Sequence, residues 1–260
     1  MRLLCVIPAR IGSTRLPQKP LRRISGTPLI RLVAQRVLAF ELDGRIVIAT
    51  DDRRVAEAVR GVPVDIELTD PRQRSGTERV AEVAMRPRYA DCDVILNIQG
   101  DEPFLPAAAA RGALVRVRQG DPIGTAAAPL EPGCAADPNR VKVVVSDTGH
   151  ALAFSRAALA PAPVCRQHVG VYAYTRGALF RWVSAPPGRA EQVERLEQLR
   201  PLGLGIPIGV SLLAEGVAPG IDTEDDLQLA EAYLSSLTAG HQVHVPFSPQ
   251  GRGDRGEGLA

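Results

Sequence analysis

The sequence predicts an α/β protein built on a mostly parallel central sheet flanked by helices. The run Leu3–Ile7 is apolar, short and bounded by Pro8, which is typical of a buried parallel strand. A second unit of the same kind follows, a β-branched run at 45–50 and then a helical pattern at 55–60. Hydrophobic residues make up 45% of the chain but aromatic residues only 4%, and such an aliphatic core suits this fold class.

The length of 260 residues is enough to bury a sizeable core in one large domain. We expect this domain to span 1–240, with roughly 122–190 forming a portion richer in short strands and turns. The segment 241–260 has no apolar period and is expected to be a disordered tail without a role in chemistry. Because the net charge is only +2, bulk electrostatics indicate no nucleic-acid partner, and any anion site must be local.

The four cysteines lie far apart and form no CxxC pair. We interpret Cys5, Cys92, Cys134 and Cys165 as buried thiols of a reducing compartment rather than as disulfide or zinc ligands. No secretory signal or membrane span is visible, because the first apolar segment is short and runs straight into Pro8. The sequence therefore predicts a soluble cytoplasmic protein with no membrane partner.

The segment 8–21, directly after the first strand, is a loop rich in Gly, Ser, Thr and Pro. It carries Arg10, Arg15 and Lys19, and Lys19 is one of only two lysines in the chain. In open α/β sheets ligands bind beyond the carboxyl ends of the strands, where fixed cations and free N–H groups suit a phosphate chain. The spacings GxxxxGK[ST] and GxGxxG are absent, which argues against ordinary ATPases and dinucleotide dehydrogenases. The alternative is a solvated surface turn.

Helical patterns follow the early strands. The first begins at Pro28, and its apolar face is formed by Leu29, Val33, Val37 and Phe40. The second lies at 55–60, after two aspartates that can cap it. After a short strand at 64–68, the third is predicted over 77–85, where Ser75 can begin it. Because helix starts also bind ligands, the loop Arg74–Gly76 is either a simple cap, which we favour, or a substrate-lining loop.

The strand predicted at 93–98 ends in the sequence QGDEP. A carboxylate directly after a central strand, at the same sheet edge as the cationic loop, is where a nucleotide enzyme would hold Mg²⁺. This makes Asp101 a candidate metal ligand, and Gly100 would let the backbone pass close to a ligand. The alternative is an ordinary turn.

The remaining elements are shorter. Strands are predicted at 124–128, 141–145, 151–154 and 169–174. A polar helix is predicted at 190–199 with Val193, Leu196 and Leu199 as its apolar stripe, which leaves Glu197 and Gln198 on a solvated face. Either Asp222 or Thr223 can cap the last helix, whose first turn is acidic.

Several segments together resemble the 3-deoxy-D-manno-octulosonate (Kdo) cytidylyltransferase family, from about Leu3 to Tyr233. In order they are VIPARIGSTRLPQKPL, IVIATDD, SGTERVAEV, NIQGDEP, NRVKVVV, FSRA, HVGVYAY, ERLEQLR and GIDTEDDL. The resemblance implies a fold of the nucleotide-diphospho-sugar transferase type with a smaller β-rich dimerisation portion. It implies CMP transfer from CTP to Kdo with Mg²⁺, giving CMP-Kdo and pyrophosphate for lipopolysaccharide synthesis, by a homodimer.

The resemblance also assigns roles to individual residues. Lys19, Asp101 and Asp222 become the catalytic set, in which the two aspartates hold Mg²⁺. The CTP-binding residues would be Pro8, Ala9, Arg10, Arg15, Lys19, Arg74, Ser75, Gly76 and Thr77. The sugar-acid pocket would be formed by Gln99, Arg156, His168, Tyr172, Glu197 and Gln198. Arg156 suits a substrate carboxylate, because its fork can bind bidentately.

Two positions depart from the family pattern. Gln18 stands where the family usually has glycine, which affects how closely the loop approaches phosphate. The segment between Arg156 and His168 is short and rich in alanine and proline, so the acceptor could be another sugar acid or a phosphonate-like acid. His168 is by itself either a structural histidine or a ligand contact. A non-catalytic nucleotide-binding relative is the third hypothesis, and retention of the catalytic set counts against it.

Overall fold

The computed structural model describes residues 1–131, 133–159 and 164–238. Within them, strands and helices alternate along the first half of the chain, as the α/β prediction requires. The strands are β1 Leu3–Ala9, β2 Arg23–Ile24, β3 Thr27–Pro28, β4 Gly44–Thr50, β5 Asp65–Leu68, β6 Val94–Ile98, β7 Ile123–Pro129, β8 Lys142–Val145, β9 Ala151–Ser155, β10 Cys165–Thr175 and β11 Ile208–Leu212. The helices are α1 Leu29–Leu38, α2 Arg53–Ala58, α3 Gly76–Ala84, α4 Ala107–Arg118, α5 Arg176–Ser184, α6 Arg189–Glu194, α7 Leu199–Gly203 and α8 Glu224–Thr238.

One sheet of nine strands runs through the molecule, in the order β11-β7-β10-β6-β1-β4-β5, with β8 paired to β10 and β9 paired to β8. The neighbours β5, β4, β1 and β6 are all parallel, as are β7 and β11. Only β10 runs against its neighbours β6 and β7 on this path. The predicted mostly parallel sheet is therefore confirmed, and the reversed β10 is what brings the β8–β9 hairpin onto the same sheet.

The sheet is covered on both faces, which explains why β1 is a continuous apolar run with every residue buried. Alternate residues of β1 enter two separate cores: Cys5 packs with helices α1 and α4, whereas Val6 packs with α3 and α5. All four cysteines are buried free thiols, as the sequence predicts. None of the helices in the described part of the chain is long and apolar enough to cross a bilayer.

The predicted helix at 190–199 is wrong. The chain instead forms α6 and α7, and Arg195 ends α6 in the left-handed region with φ 54°. A buried ion pair between Glu191 and Arg200 folds α7 back against α6, with nitrogen–oxygen distances of 2.5 and 2.8 Å. Because of this break, Val193 is 75% exposed rather than part of an apolar stripe. Glu197 and Gln198 turn inward instead of facing solvent.

The proposed tail at 241–260 and most of the Pro/Ala segment before β10, 160–163, lie outside the described residues. The region from β7 to β10 contributes four strands, of 7, 4, 5 and 11 residues, to the common sheet.

Candidate active site

Three parallel strands deliver polar side chains to one edge of the sheet. Because β6, β1, β4 and β5 are parallel neighbours, their carboxyl ends lie at one edge, and the loops after β1, β5 and β6 line one cavity of about 260 Å³. The predicted site residues that line this cavity are Pro8, Ala9, Arg10, Arg15, Lys19, Arg74, Ser75, Gly76, Gln99, Asp101, Glu197 and Asp222. The sequence prediction of a ligand site at this edge is thus matched by a cavity in the structure.

Lys19 is the centre of the charged cluster in this cavity. Its Nζ lies 2.5 Å from Asp101 Oδ2 and 2.8 Å from Asp222 Oδ1, and its side chain is 16% exposed. Arg15 approaches the other oxygen of Asp222 at 2.9 Å. Burial by itself would lower the pKa of Lys19, but the two carboxylates outweigh it and raise this pKa above its ordinary value. Burial opposes ionisation of Asp222, yet Lys19 and Arg15 lower its pKa.

Lys19 and Asp101 owe their positions to tight backbone geometry. Lys19 begins a short 3₁₀ turn that continues through Pro20, and Gln18 precedes it in the left-handed region with φ 54°. Asp101 follows β6 after Gly100, where a Cβ would lie 2.7 Å from the Pro8 carbonyl oxygen. Glycine is required because the chain after β6 passes close to the β1 backbone. Gly100 also lines the cavity, so its predicted approach to a ligand stays a prediction.

Asp222 is placed by the start of α8. The Ile221 N–H donates to the Asp101 carbonyl at 2.9 Å, which joins the two aspartate-bearing segments. Thr223 and Asp226 form a capping box: the Asp226 N–H donates to the Thr223 hydroxyl at 3.2 Å, and the Asp226 carboxylate accepts the Thr223 N–H at 2.8 Å. Of the two caps left open by the sequence, Thr223 is the one used, and Asp222 is left to face Lys19.

The loop Arg74–Gly76 combines the two interpretations that the sequence left open. The Ser75 hydroxyl caps α3 by accepting the Glu78 N–H at 3.2 Å, so the cap is confirmed. The same loop lines the cavity, and a Cβ at Gly76 would lie 3.0 Å from Gln99 Oε1. Thr77, also predicted to bind CTP, is buried behind the cavity wall and does not line it.

A second cavity of about 460 Å³ adjoins the first between α3 and the α6–α7 pair. The lining residues that the two cavities share are Arg10, Arg74, Ser75 and Glu197. Glu197 therefore lies at their junction, where burial raises its pKa and the hydroxyls of Thr77 and Ser75 donate to it. The two cavities together offer more room than a triphosphate group alone would fill.

Four of the residues predicted for a sugar-acid pocket line neither cavity. Arg156 donates to the Pro138 carbonyl at 3.0 Å and the Glu194 carbonyl at 3.2 Å, so its fork is engaged by backbone oxygens. Gln198 is 7% exposed. Gln99 and Glu197 are thus the members of that predicted set that the cavities expose.

His168 and Tyr172 lie deeper, on β10. The His168 ring nitrogen Nε2 is 3.0 Å from the Thr125 hydroxyl, and burial lowers the pKa of this histidine to about 3. Tyr172 packs against His168 and Trp182, with ring centroids 5.3 and 5.7 Å apart. Within the described residues, the buried Tyr172 Oη and Glu197 Oε2 have no hydrogen-bond partner, and buried orphan atoms of this kind favour a polar ligand nearby.

Sequence reasoning missed three residues of this site. Asp51 accepts the Ile11 N–H at 3.0 Å and pairs with buried Arg79 at 3.2 Å, which connects the cationic loop to β4 and α3. Glu102 lies beside the cluster, where burial first, and then the charges of Asp101 and Asp222, raise its pKa to about 8. Asp51 is the third letter of ATDD and Glu102 the fourth of QGDEP, but acidic turn residues are too common to be selected by sequence alone.

The donor set fits Mg²⁺. Asp101 and Asp222 present carboxylate oxygens to a single lysine nitrogen, so the two groups lie within a few ångströms of each other. No cluster of three or more potential ligands occurs in the described ranges. A pair of carboxylates suffices for Mg²⁺, which takes one or two of them plus phosphate oxygens and water.

Comparison with known proteins assigns the chain to a family. The family profile described as Cytidylyltransferase matches residues 4–208. The 3-deoxy-manno-octulosonate cytidylyltransferase of Gemmatimonas aurantiaca is 48% identical over 250 residues, which cover 92% of this chain and 96% of that protein. The chain belongs to the Kdo cytidylyltransferase family. The family member from Methylococcus capsulatus is 46% identical, and the alignment covers 90% of this chain and 97% of that protein.

Solved structures support the same family. A CMP:2-keto-3-deoxy-manno-octonic acid synthetase in complex with CTP superimposes with a TM-score of 0.83 at 35% identity, over 91% of this chain and 100% of that one. The 4-diphosphocytidyl-2C-methyl-D-erythritol synthase of Anaerococcus prevotii, at 13% identity and a TM-score of 0.61, shares the fold, over 90% of this chain and 98% of its own. The resemblance of the sequence motifs to Kdo cytidylyltransferases is therefore confirmed.

Proposed function

We propose that this chain transfers CMP from CTP to Kdo and releases pyrophosphate. The observation that carries the proposal is the convergence of Lys19, Asp101 and Asp222 in a cavity also lined by Arg10 and Arg15. The names and nucleotide ligand of the similar proteins support CTP and Kdo as substrates. Four buried free thiols support a reducing compartment, the cytoplasm, as the site of the reaction.

In this proposal the triphosphate lies along the loop after β1, with Arg15 and Lys19 binding its oxygens. Cytidine lies against the main chain of Pro8–Arg10 and the loop Arg74–Gly76, which both line the cavity. Glycine at position 76 leaves room beside Gln99 for a flat base or ribose. Arg10 lines both cavities and so lies where nucleotide and acceptor would meet.

The acceptor is proposed to enter from the second cavity. Its hydroxyl attacks the α-phosphorus in line and loses its proton to water, while the bond to the pyrophosphate oxygen breaks and the pyrophosphate leaves with the electron pair of that bond. The protein contributes positioning and neutralisation of the phosphate charge. Of the predicted acceptor residues, Glu197 lies at the junction of the two cavities and Gln99 lines the first cavity. The acceptor-binding roles of the other four residues stay predictions, since these residues would need to act from behind the cavity wall or after a rearrangement. They are Arg156, His168, Tyr172 and Gln198.

Asp101 and Asp222 are the residues that would hold Mg²⁺. When bound, this ion would supply Lewis-acid polarisation of the phosphoryl oxygens and charge neutralisation. Arg15 and Lys19 then remain available for the phosphates of the leaving group.

The substitution Asp101→Asn tests the proposal. We expect turnover of CTP and Kdo, measured as pyrophosphate release, to be nearly abolished. CTP binding should be weakened, and the thermal unfolding transition should be retained. Asp225→Asn is the matched control, because Asp225 is an exposed acid in the first turn of α8, three residues from Asp222. Turnover by Asp101→Asn at the level of Asp225→Asn would remove Asp101 from the site. A screen of other sugar acids and phosphonate-like acids with CTP tests the choice of acceptor.

A further inference from the structure

We propose that Lys19 occupies the metal site of this enzyme in the absence of nucleotide and that the triphosphate of CTP displaces it. The ammonium group lies between Asp101 and Asp222 in the place of a cation, and phosphate oxygens draw it away when CTP enters. Metal binding and nucleotide binding are thereby coupled through one side chain. This inference rests on the proposed function, because it assigns the two aspartates to the metal.

The contacts of Lys19 carry the argument. One ammonium group bonds both carboxylates, at 2.5 and 2.8 Å, across 82 and 203 positions of the chain. Hydrogen bonds between ionised groups are about twice as strong as those between neutral groups. The bond from Lys19 to Asp101 is also largely shielded from water. Arg15 occupies the remaining oxygen of Asp222 at 2.9 Å. Three of the four carboxylate oxygens therefore already have cationic partners.

The arrangement with Lys19 between the carboxylates and the arrangement with metal bound there exclude each other. A divalent ion needs the same oxygens, and an ammonium group held at these distances would repel it strongly. Lys19 and Arg15 also line the cavity in which a triphosphate would lie. Phosphate oxygens can accept the hydrogen bonds that the carboxylates give up, so the lysine changes anionic partners without becoming unpaired.

The consequence is reciprocal coupling. Metal alone binds weakly because it must compete with Lys19, and CTP removes that competitor. By linkage, metal raises the affinity for CTP by the same factor by which CTP raises the affinity for metal. Removing Lys19 should therefore have opposite effects on the two ligands: tighter binding of metal alone and weaker binding of CTP alone.

The test measures Mn²⁺ binding without nucleotide by electron paramagnetic resonance of free Mn²⁺. We expect Lys19→Met to bind one Mn²⁺ at least about tenfold more tightly than the wild type. The reason is that the fraction of molecules whose two aspartates are free to bind metal rises toward one. The double variant Lys19→Met/Asp101→Asn should lose this gain, which locates the ion at the acidic pair. Isothermal titration with CTP alone should show weaker binding by Lys19→Met.

Arg22→Met is the matched control for net charge. Arg22 lies three residues away and pairs with Glu224 at 2.6 Å, so its removal deletes one nearby positive charge without freeing Asp101 or Asp222. Its Mn²⁺ affinity should equal that of the wild type. Equal Mn²⁺ affinities for wild type and Lys19→Met, or an equal gain in Arg22→Met, would overturn the inference. The proposed function would survive that result if wild type still binds Mn²⁺ with CTP and transfers CMP, so the two failures are distinguishable.

Discussion

At the scale of single residues, Gln18 has a backbone conformation that its side chain disfavours. Its φ of 54° lies in the left-handed region, where a Cβ costs roughly 1–2 kcal/mol. Glycine removes that cost but loses about 0.5–1 kcal/mol through the flexibility of the unfolded chain. A glycine would therefore suit the turn before Lys19 better than glutamine does.

We predict that Gln18→Gly stabilises the protein by roughly 0.5–1 kcal/mol, the difference between these two effects. The free energy of unfolding in urea is the measurement. Gln18→Ala keeps the Cβ and is the control, which should not gain this stability. A loss of stability in Gln18→Gly would show that the glutamine side chain makes a compensating contact.

His168 is buried as the neutral ring, and its pKa of about 3 lies well below the value of about 6.5 in an unfolded chain. Between these values the unfolded state binds more protons than the folded state, so stability falls as the pH is lowered from 6.5 to 3. We predict that His168→Gln removes this dependence, which amounts to at most about 1.4 kcal/mol per pH unit. Urea unfolding of both proteins from pH 7 to pH 4 measures it, and parallel curves would contradict the assignment.

At the scale of elements, a buried ion pair holds three of them together. The ion pair joins Asp51, which follows β4, to Arg79 on α3. Asp51 also accepts the Ile11 N–H from the loop after β1, which is the third element. Arg79 also donates to the Thr69 hydroxyl and is 2% exposed. This junction fixes where the cationic loop leaves the sheet and therefore where Arg15 and Lys19 arrive.

We predict that Asp51→Ala destabilises the protein by about 3 kcal/mol or more, because it leaves the Arg79 charge buried without its partner. The Michaelis constant for CTP should rise as the loop loses its anchor. Asp65→Ala is the control: Asp65 pairs with Arg88 at 2.9 Å, and both side chains are about half exposed. Its removal should cost less than about 1 kcal/mol. A similar loss in both variants would mean that the Asp51 pair has no special role.

At the scale of the whole molecule, the region from β9 to α6 exposes large apolar side chains. Leu152 is 64% exposed, Val164 51% and Val193 75%. These residues lie on or beside elements of the β-rich portion for which the resemblance implied dimerisation, and burial between two copies would remove them from water.

We predict that the protein is a dimer of 27.8 kDa chains and that Leu152→Asp shifts it toward the monomer. Sedimentation equilibrium measures the mass. Met85→Asp introduces the same charge at a residue that is 56% exposed at the end of α3, outside the 122–190 portion, and should leave the dimer intact. A monomeric wild type would refute the prediction, and dissociation by both substitutions alike would place the interface elsewhere.

Elements made from neighbouring residues were predictable. The apolar run of β1, the Ser75 cap of α3 and the acidic start of α8 are decided by contacts within a few positions, so their patterns can be recognised in the sequence. The break at Arg195 was not predictable, because it depends on an ion pair, Glu191 with Arg200, that forms only when α7 folds back on α6.

The sequence by itself determined that this chain is an α/β protein with a cationic loop after its first strand, and its motifs identified the family. Only the tertiary structure decided that Asp101 and Asp222 meet at one lysine nitrogen, that Glu102 and Asp51 belong to the same site, and that Arg156 is engaged by backbone carbonyls. The physical reason is range: propensity and hydrophobic period act over a few residues, whereas these contacts join positions that only the packing of parallel strands brings to one sheet edge.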